Sequence, residues 1–231
     1  MNRQAVKLLY KDGDIAVCIK PKGILSQSGE GANMIDLLSG SLGCDVFPVH
    51  RLDKETEGIM VFAMNAPACA ALSKQIADGT FRKNYLALLT ACPDDEKGTL
   101  EDLIFYDRNR SKSFVVKKER KGVKKAKLSY EIVSNAGGLP IAFITLFTGR
   151  THQIRVQFAS RSCPLYGDKR YGGKGDEMHL YACRLAFKHP VTNEEMVFDR
   201  KEEYLNLLMN FAKQYEKRKR KIKKRKNIKD S

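Results

Sequence analysis

The sequence predicts an α+β domain built on a mixed, largely antiparallel sheet. Two observations support this fold class: five short runs have strand-like patterns, and only two segments have the spacing of helices. Successive strands are therefore joined with few crossover helices, which favours antiparallel pairing. With 231 residues, 42% of them hydrophobic, the chain is long enough to bury a sizeable core.

The five predicted strands are apolar or alternate between apolar and polar residues. They comprise residues 14–19, 59–63, 85–90, 127–133 and 141–147. Residues 59–63, with the sequence IMVFA, combine β-branched and aromatic side chains, and Gly58 marks the start of this run.

The two predicted helices are residues 66–77 and 203–214. In the second, Tyr204, Leu207, Leu208 and Phe211 form one apolar stripe at helical spacing. The chain shows no internal repeat and no linker that divides two domains. We therefore predict one domain over residues 1–212, followed by a basic C-terminal tail over residues 213–231.

The formal net charge of +15 is concentrated in two segments. Residues 108–127 hold ten basic side chains and one acid, and residues 213–231 hold eleven basic side chains and two acids, so each carries +9. The remainder is nearly neutral, at about −3. This distribution predicts a polyanionic partner. We expect the first segment to form a loop or hairpin and the second to extend the last helix.

Other composition features exclude several classes of function. The six cysteines are spread along the chain without a C-x-x-C pair, so neither a disulfide framework nor a cysteine metal site is indicated. The sequence contains no apolar run near eighteen residues and no signal-peptide pattern. We expect a cytoplasmic protein with reduced thiols and no membrane partner.

The run from His50 to Ala63, HRLDKETEGIMVFA, is the most informative stretch for function. It places one acid, Asp53, between a basic loop and an apolar strand. A carboxylate at the mouth of a buried strand is a catalytic candidate. The local pattern fits equally well an Asp that caps a turn beside Thr56.

A second motif follows about a hundred residues later, TGRTHQIRV at residues 148–156, with PLYGD at residues 164–168 beyond it. Together with the HRLD run, it resembles the RluA-type RNA pseudouridine synthases. Further matching segments occur in the family's order; they are KPKG at 20–23, KNYLA at 83–87 and LAFKHP at 185–190. The resemblance covers roughly residues 10 to 200.

This resemblance implies a curved sheet with a central RNA-binding cleft flanked by helices, which is the pseudouridine synthase fold. It also implies monomeric action on structured ribosomal or transfer RNA, or both, through the cleft and the basic segments 108–127 and 213–229. Many relatives carry an N-terminal S4 RNA-binding domain. Lys20-Pro21 comes so early here that we expect none.

The implied reaction converts a uridine to pseudouridine and requires no metal, redox cofactor or energy donor. Asp53 matches the family's essential aspartate, which either attacks ribose C1′ or removes a ribose proton to give a glycal intermediate. The sequence leaves both routes open. In either route Asp53 must be ionised in a closed pocket, where desolvation raises a carboxyl pKa unless a cation opposes it.

Two further residues are implied to act in the reaction. Arg155 matches the arginine expected to pair with Asp53, and its alternative is to bind a phosphate or cap the helix that begins near Thr151. Tyr85 matches an active-site tyrosine that stacks on the target base and helps with the C5 proton. Its alternative is an ordinary core aromatic.

Four residues beside these motifs are candidates for substrate binding. Arg51 either fills the space vacated by the flipped uridine or contacts a phosphate. Arg150 is expected to contact the RNA backbone. His50 and His152 are expected to shape the binding loops as hydrogen-bonded scaffold residues. One departure from the family pattern, Glu57 in place of serine, is expected to point away from the cleft.

Three functions compete at this point. The leading prediction is an RNA-uridine isomerase, and the alternative is a noncatalytic RNA-binding or ribosome-assembly protein on the same fold. A metal-dependent phosphoesterase that uses His50, Asp53 and His152 is a more distant third, because the histidines lack recognisable ligand spacing.

Overall fold

The computed structural model describes residues 6–229, and the side chains of residues 6–222. Within that range the chain forms one sheet, four α-helices and a short 3-10 turn. The strands are β1 (Lys7–Lys11), β2 (Ile15–Lys20), β3 (Phe47–Pro48), β4 (Glu57–Ala63), β5 (Arg82–Leu88), β6 (Lys97–Asp107), β7 (Lys112–Val116), β8 (Val123–Ala136), β9 (Leu139–Leu146), β10 (Leu180–Lys188) and β11 (Glu195–Asp199). The helices are α1 (Met34–Leu42), α2 (Ala66–Ala77), α3 (Gln153–Ala159) and α4 (Lys201–Lys229), and the 3-10 turn is Lys169–Tyr171.

The sheet is mixed and largely antiparallel, as predicted. Its main path runs β1-β2-β4-β10-β5-β9-β8-β6-β7, while β11 pairs with β10 and β3 pairs with β4. The pairing of β4 with β10 is parallel, and all the other pairings between the described strands are antiparallel. Register shifts in three pairings mark bulges, which increase the local twist of the sheet.

The alternation of side chains along β5 shows how the sheet builds a core on each face. Tyr85 and Ala87 point into the largest apolar cluster, which α1 and α3 cover. Leu86 and Leu88 point the other way, into a cluster covered by α4. The helix α2 packs on a third cluster through Leu72. Because successive residues of a strand face opposite sides, β5 is covered by helices on both faces.

Each predicted strand and helix is present, with shifted ends. The helix at residues 66–77 has the predicted bounds, because Asn65 caps it by accepting a hydrogen bond from the Ala68 N–H. The prediction missed α1 and several strands, among them β6 and β10, and it gave only the approximate start of α3, near Thr151. The basic segment 108–127 forms β7, the turns on either side of it and the start of β8, in agreement with the hairpin prediction.

The helix α4 is much longer than residues 203–214, since it runs from Lys201 to Lys229. Its packed part ends near Glu216, whose Cβ lies close to Gly137, and residues 217–222 are exposed. Of the predicted tail, residues 230–231 lie outside the described part of the chain. No helix within residues 6–229 is long and apolar enough to cross a membrane.

Candidate active site

Asp53 lies in a loop that is fixed from both sides. On the side before Asp53, the Leu52 carbonyl accepts a hydrogen bond from the Ser26 hydroxyl at 2.7 Å, and the Leu52 N–H donates to that hydroxyl oxygen at 2.9 Å. On the other side, the Thr56 N–H donates to the Asp53 carbonyl oxygen at 3.0 Å and closes a turn. The Asp53 side chain is 24% exposed, so its carboxylate reaches the surface from a fixed backbone.

Lys20 holds the same loop from beneath and was not recognised as a site residue from sequence. Its buried ammonium donates to the carbonyl oxygens of Pro21, Ile24 and Lys54 at 2.8, 2.8 and 3.0 Å. Burial lowers the pKa of Lys20 to about 8, although the nearby charges of Glu55 and Asp53 oppose this shift. A lysine at the end of a strand carries no local signal for such a role.

Gly58 explains how the Asp53 loop comes close to Tyr85. At Gly58 the strands β4 and β10 pair, and Ala182 of β10 in turn pairs with Tyr85 of β5. A Cβ at Gly58 would lie only 2.3 Å from the Ala182 carbonyl oxygen, and its φ of 137° is one that side chains rarely adopt. Glycine is therefore required for this close approach of the backbones.

The structure brings Arg155 of α3 to Asp53 across 102 positions of sequence. Arg155 Nη1 donates to Asp53 Oδ2 at 3.0 Å. The same guanidinium makes two hydrogen bonds to Asp168, from Nε at 2.6 Å and from Nη2 at 2.8 Å. The Arg155 and Asp168 side chains are only 8% and 1% exposed. Burial alone would lower the pKa of Arg155, but hydrogen bonding to Asp168 and the charge of Asp53 raise it, so the guanidinium stays charged.

Asp168 is a second residue of this group that the sequence reasoning missed, although it lies in the PLYGD segment. The arginine was assigned one carboxylate partner, Asp53, whereas the bidentate contact belongs to Asp168. The aspartate at the end of this segment was the available signal. Its partner lies thirteen residues away on another element, so the local pattern alone did not identify the pair.

Tyr85 lies buried on the same face of the sheet as the main core, with 5% of its surface exposed. Burial and the nearby charge of Asp53 raise the pKa of Tyr85, so the phenol is neutral around pH 7. Its hydroxyl makes no hydrogen bond to any residue within the described range. The structure therefore places Tyr85 near Asp53, with a hydroxyl that is free to act toward a ligand.

His152 lies between Asp53 and the 3-10 turn. Its Nε2 is 4.0 Å from Asp53 Oδ2, and its Nδ1 is 3.0 Å from the Tyr171 hydroxyl. The Tyr171 ring also lies against the guanidinium of Arg155, 5.2 Å from ring centroid to Cζ. Burial is the main cause that lowers the pKa of His152, so the imidazole is neutral around pH 7.

The other sequence candidates lie at the edges of this group. His50 is buried, and its Nε2 accepts a hydrogen bond from the Val61 N–H at 3.3 Å. Burial, with a contribution from Lys83, lowers the pKa of His50 to about 3. Arg51 is exposed, and Arg150 Nε donates to the Lys125 carbonyl oxygen at 2.9 Å.

This arrangement does not assemble the ligands that the phosphoesterase alternative needs. His50 directs its Nε2 lone pair to the backbone, and its Nδ1 has no partner within the described range. The potential ligand group found among the described residues lies elsewhere, at Asp12, Asp14 and His189. There the His189 Nε2 and Asp12 Oδ2 are already hydrogen-bonded at 2.7 Å.

Glu57 lies on the opposite face of the sheet from the Asp53 group. Its Oε1 accepts a hydrogen bond from the Tyr204 hydroxyl of α4 at 3.3 Å. Tyr204 belongs to the cluster on the far side of β5. The side chain therefore points away from the site, as expected.

Comparison with known proteins agrees with the fold and with the motifs that form this site. Residues 14–160 match the family model described as RNA pseudouridylate synthase. A pseudouridine synthase from Aquifex aeolicus, described as uncharacterized, is 33% identical over 222 residues, which cover 85% of this chain and 69% of that protein. The ribosomal large subunit pseudouridine synthase D of Borreliella burgdorferi is 32% identical over 180 residues, which cover 72% of this chain and 55% of that protein.

A solved structure supports the fold independently. The structure titled human RNA pseudouridylate synthase domain containing 4 matches with a TM-score of 0.70 and 22% identity, covering 84% of this chain and 88% of that one. The chain spans roughly two thirds or less of the length of these curated relatives. The fold and the matched motifs are those of the pseudouridine synthases. The chain belongs to the RNA pseudouridine synthase family, and the relatives agree with the RluA-type resemblance.

Proposed function

We propose that this protein isomerises uridine to pseudouridine in structured RNA, with Asp53 as the essential carboxylate. The observation that carries the proposal is the ion pair of Asp53 with Arg155, formed by the two motifs that define the family resemblance. Tyr85 lies near the same carboxylate. These are the three residues that the chemistry requires at one place.

The reaction breaks the bond from ribose C1′ to uracil N1 and forms a bond from C1′ to C5. The proton on C5 must leave, and N1 gains one, so the composition of the nucleotide does not change. Asp53 serves in one of two ways. Either it attacks C1′ and is later displaced by C5, or it takes a ribose proton and returns it when C5 adds.

The contacts of Asp53 distinguish its two oxygens. Both Arg155 and His152 face Oδ2, at 3.0 and 4.0 Å. Oδ1 has no hydrogen-bond partner among the described side chains, so it is the oxygen available to the ribose. The guanidinium that Asp168 holds stays charged and donates to Oδ2, which leaves Oδ1 to face the ribose.

Tyr85 is suited to the base rather than to the ribose. Its ring belongs to the same buried cluster as Leu52, the residue before Asp53, and the flipped uracil is proposed to stack on it. A neutral phenol whose hydroxyl makes no hydrogen bond within the described range is able to relay the C5 proton. A phenolate would instead repel the uracil anion formed on cleavage of the C1′–N1 bond.

The RNA backbone is proposed to bind to the basic segments, whose charges have few counterions. Arg108 and Arg120 line concave surfaces on the β6–β8 side of the sheet, where the Arg120 guanidinium lies 4.8 Å from the Phe105 ring centroid. The exposed residues 217–221 of α4 supply a second basic surface. Contacts of this kind give affinity without sequence information, so RNA shape and the neighbours of the target uridine must set specificity.

Lys83 adds a cation inside the cleft. It lies two residues before Tyr85 on the same strand, and thus on the same face. It makes no ion pair with any residue in the described range, and burial lowers its pKa. A phosphate of the target nucleotide is the partner that we propose for it.

Tritium release tests the proposed reaction. Ribosomal and transfer RNA transcripts labelled at uridine C5 are incubated with the wild-type protein and with Asp53→Asn, because joining C5 to ribose expels that hydrogen. We expect release by the wild type and at least a roughly 1,000-fold lower rate for the variant, since a role in the covalent steps is lost. RNA affinity should stay within about threefold.

The same experiment separates the competing functions and the finer parts of the proposal. Tight binding without release from either RNA class would favour a noncatalytic RNA-binding or ribosome-assembly protein. Release from one class identifies ribosomal or transfer RNA as the substrate. We propose that the active species is a monomer in the cytoplasm, which sedimentation in the presence of the RNA and cell fractionation would test.

A further inference from the structure

His152 connects the Asp53 group to the β6–β7 hairpin through a chain of hydrogen bonds. The Ser113 backbone N–H of β7 donates to the Tyr171 hydroxyl oxygen at 2.8 Å. That hydroxyl lies 3.0 Å from His152 Nδ1, and His152 Nε2 lies 4.0 Å from Asp53 Oδ2. The chain thus runs from a strand within the basic segment 108–127 to the carboxylate of Asp53.

The Tyr171 hydroxyl favours one tautomer of His152, because its proton has no other acceptor among the described residues. The Tyr171 oxygen accepts a hydrogen bond from Ser113, so its own proton is free to be donated to His152 Nδ1. A neutral imidazole whose Nδ1 accepts must carry its proton on Nε2. The Nε2–H group therefore faces Asp53.

The backbone at His152 is held in an uncommon conformation. Its φ is 54° and its ψ is 26°, in the left-handed region, and the side chain does not cap α3. A non-glycine residue there is uncommon, and asparagine is among those best tolerated. A histidine kept at such a position suggests that its ring has a task of its own.

The hairpin docks firmly at this point. Ser113 is buried, and its hydroxyl donates to the Thr151 carbonyl oxygen at 2.5 Å, directly before His152 in the chain. On the hairpin turn, the Ser111 carbonyl oxygen accepts from the Arg170 guanidinium beside Tyr171. Hydrogen bonds therefore join the hairpin to the residue before His152 and to the residue before Tyr171.

We propose that His152 is a positioning residue, which holds the Asp53 carboxylate by donating from Nε2, and that Tyr171 and the docked hairpin orient it. This inference rests on the proposed function. The 4.0 Å separation is too long for a hydrogen bond, and it shortens when RNA draws the hairpin toward the cleft. Binding of RNA is thereby coupled to the orientation of Oδ1 toward the ribose.

Two substitutions at His152 distinguish a role for its Nε2–H donor from a role in the left-handed backbone conformation. The two explanations predict opposite orders of activity for the two variants. Glutamine keeps an N–H donor near the position of Nε2, whereas asparagine suits the left-handed backbone but places its amide near Nδ1. We expect His152→Gln to keep kcat within about fivefold of wild type. His152→Asn should lose roughly 10- to 100-fold, as for a lost hydrogen bond to a charged group. Equal rates, or a faster asparagine variant, would overturn the proposal.

Tyr171→Phe tests the coupling to the hairpin. It removes the hydroxyl but keeps the ring against Arg155. We expect kcat for tritium release from labelled RNA transcripts to fall roughly tenfold, with KM within about twofold. Tyr106→Phe is the matched control. The Tyr106 ring also lies edge-on to His152, with ring centroids 6.4 Å apart, but its hydroxyl takes no part in the chain of hydrogen bonds. A change in KM with kcat unchanged in Tyr171→Phe would overturn the proposed coupling between the hairpin and His152.

A spectroscopic readout keeps the test independent of activity. Nitrogen-15 spectra of the imidazoles, assigned with His152→Gln, should show the Nε2–H tautomer in the wild type and its loss in Tyr171→Phe. The Nδ1–H tautomer in the wild type would overturn the proposal even if the enzyme is active. If the wild type releases no tritium, the proposed function fails, while the spectra still report on the hydrogen-bond chain.

Discussion

The Arg155 pair and the exposed end of α4 use the same kind of charge in opposite surroundings. Arg155 is buried, and the carboxylates of Asp53 and Asp168 accept three hydrogen bonds from its guanidinium. Residues 217–221 are five consecutive basic side chains, all exposed. A buried charge must be paired in one geometry, because desolvation makes any other arrangement costly. An exposed charge keeps its water and adds long-range attraction without a fixed geometry.

This difference assigns separate tasks to the two regions. The buried pair determines where the Asp53 oxygens lie, so its loss should appear in kcat. The basic surface determines how much RNA is bound at a given salt concentration, so its loss should appear in Kd. Each prediction below tests whether the two regions keep these tasks apart.

Among the variants that test this comparison, the largest effect is expected from Arg155→Lys. A lysine keeps the charge but offers no planar fork, so it cannot hold Asp168 in a bidentate contact while also reaching Asp53. Misplacing the carboxylate should lower kcat roughly 100-fold, with RNA affinity nearly unchanged. Arg161→Lys is the matched control, since Arg161 pairs with Asp102 at a partly exposed site. Equal losses in both variants would show that the effect is not particular to Asp53.

Asp168→Asn should mainly affect stability. Removing the charge of one partner of a buried ion pair costs about 3 kcal/mol in the free energy of unfolding, because asparagine can accept only one of the two hydrogen bonds and turns an NH2 group toward the other N–H of Arg155. Urea unfolding measures this change. The control Glu101→Gln breaks an exposed pair with Lys127 of the same type, 2.7 Å long, and should cost at most about 1 kcal/mol. Comparable losses in the free energy of unfolding for the two variants would show that burial does not explain the effect of Asp168→Asn.

The exposed end of α4 is tested by changing residues 217–221 together to glutamine. About half of five consecutive side chains on a helix face any one side, so about two of these residues would contact RNA phosphates. We therefore expect the slope of log binding constant against log salt concentration to fall by roughly two. The rate at saturating RNA should not change. A charge-preserving variant that exchanges lysine and arginine at these five positions should keep the slope. An unchanged slope in the glutamine variant would exclude this surface from RNA binding.

A truncation that tests this region should be placed after Glu216, because a cut there removes the exposed basic residues and keeps the packed part of α4. Tyr215 packs edge-on against Tyr166 at 5.5 Å, and Ala212 is fully buried. A cut after Phe211, one residue before the predicted end of the domain at 212, would therefore remove core contacts together with the basic charge, and loss of binding would not be assignable to charge.

The smallest effect is expected from Glu57→Ser. Glu57 accepts a hydrogen bond from Tyr204 on the far face of the sheet, so its charge is separated from Asp53 by the strand itself. We expect kcat and Kd to stay within about twofold of wild type, because the lost contact is a single 3.3 Å hydrogen bond outside the site. A large gain in rate would mean that the Glu57 charge does act on Asp53.

Part of the fold followed from local pattern and part did not. The helix α2 was predicted at both ends, because its cap and its apolar spacing are local features. The strand β6 was missed, since its sequence mixes charged and apolar residues and it is stabilised by pairing with β7 and β8. The parallel contact of β4 with β10 joins residues more than a hundred positions apart, and no local pattern encodes it.

By itself, the sequence determined the family, the candidate carboxylate Asp53, the arginine opposite it and the two basic segments. The tertiary structure alone decided that Asp168 holds that arginine, that His152 directs Nε2 toward Asp53, and that Glu57 faces away. The physical reason is burial. Local patterns record which groups a segment carries, whereas hydrogen-bond partners and pKa values depend on which groups the whole fold removes from water together.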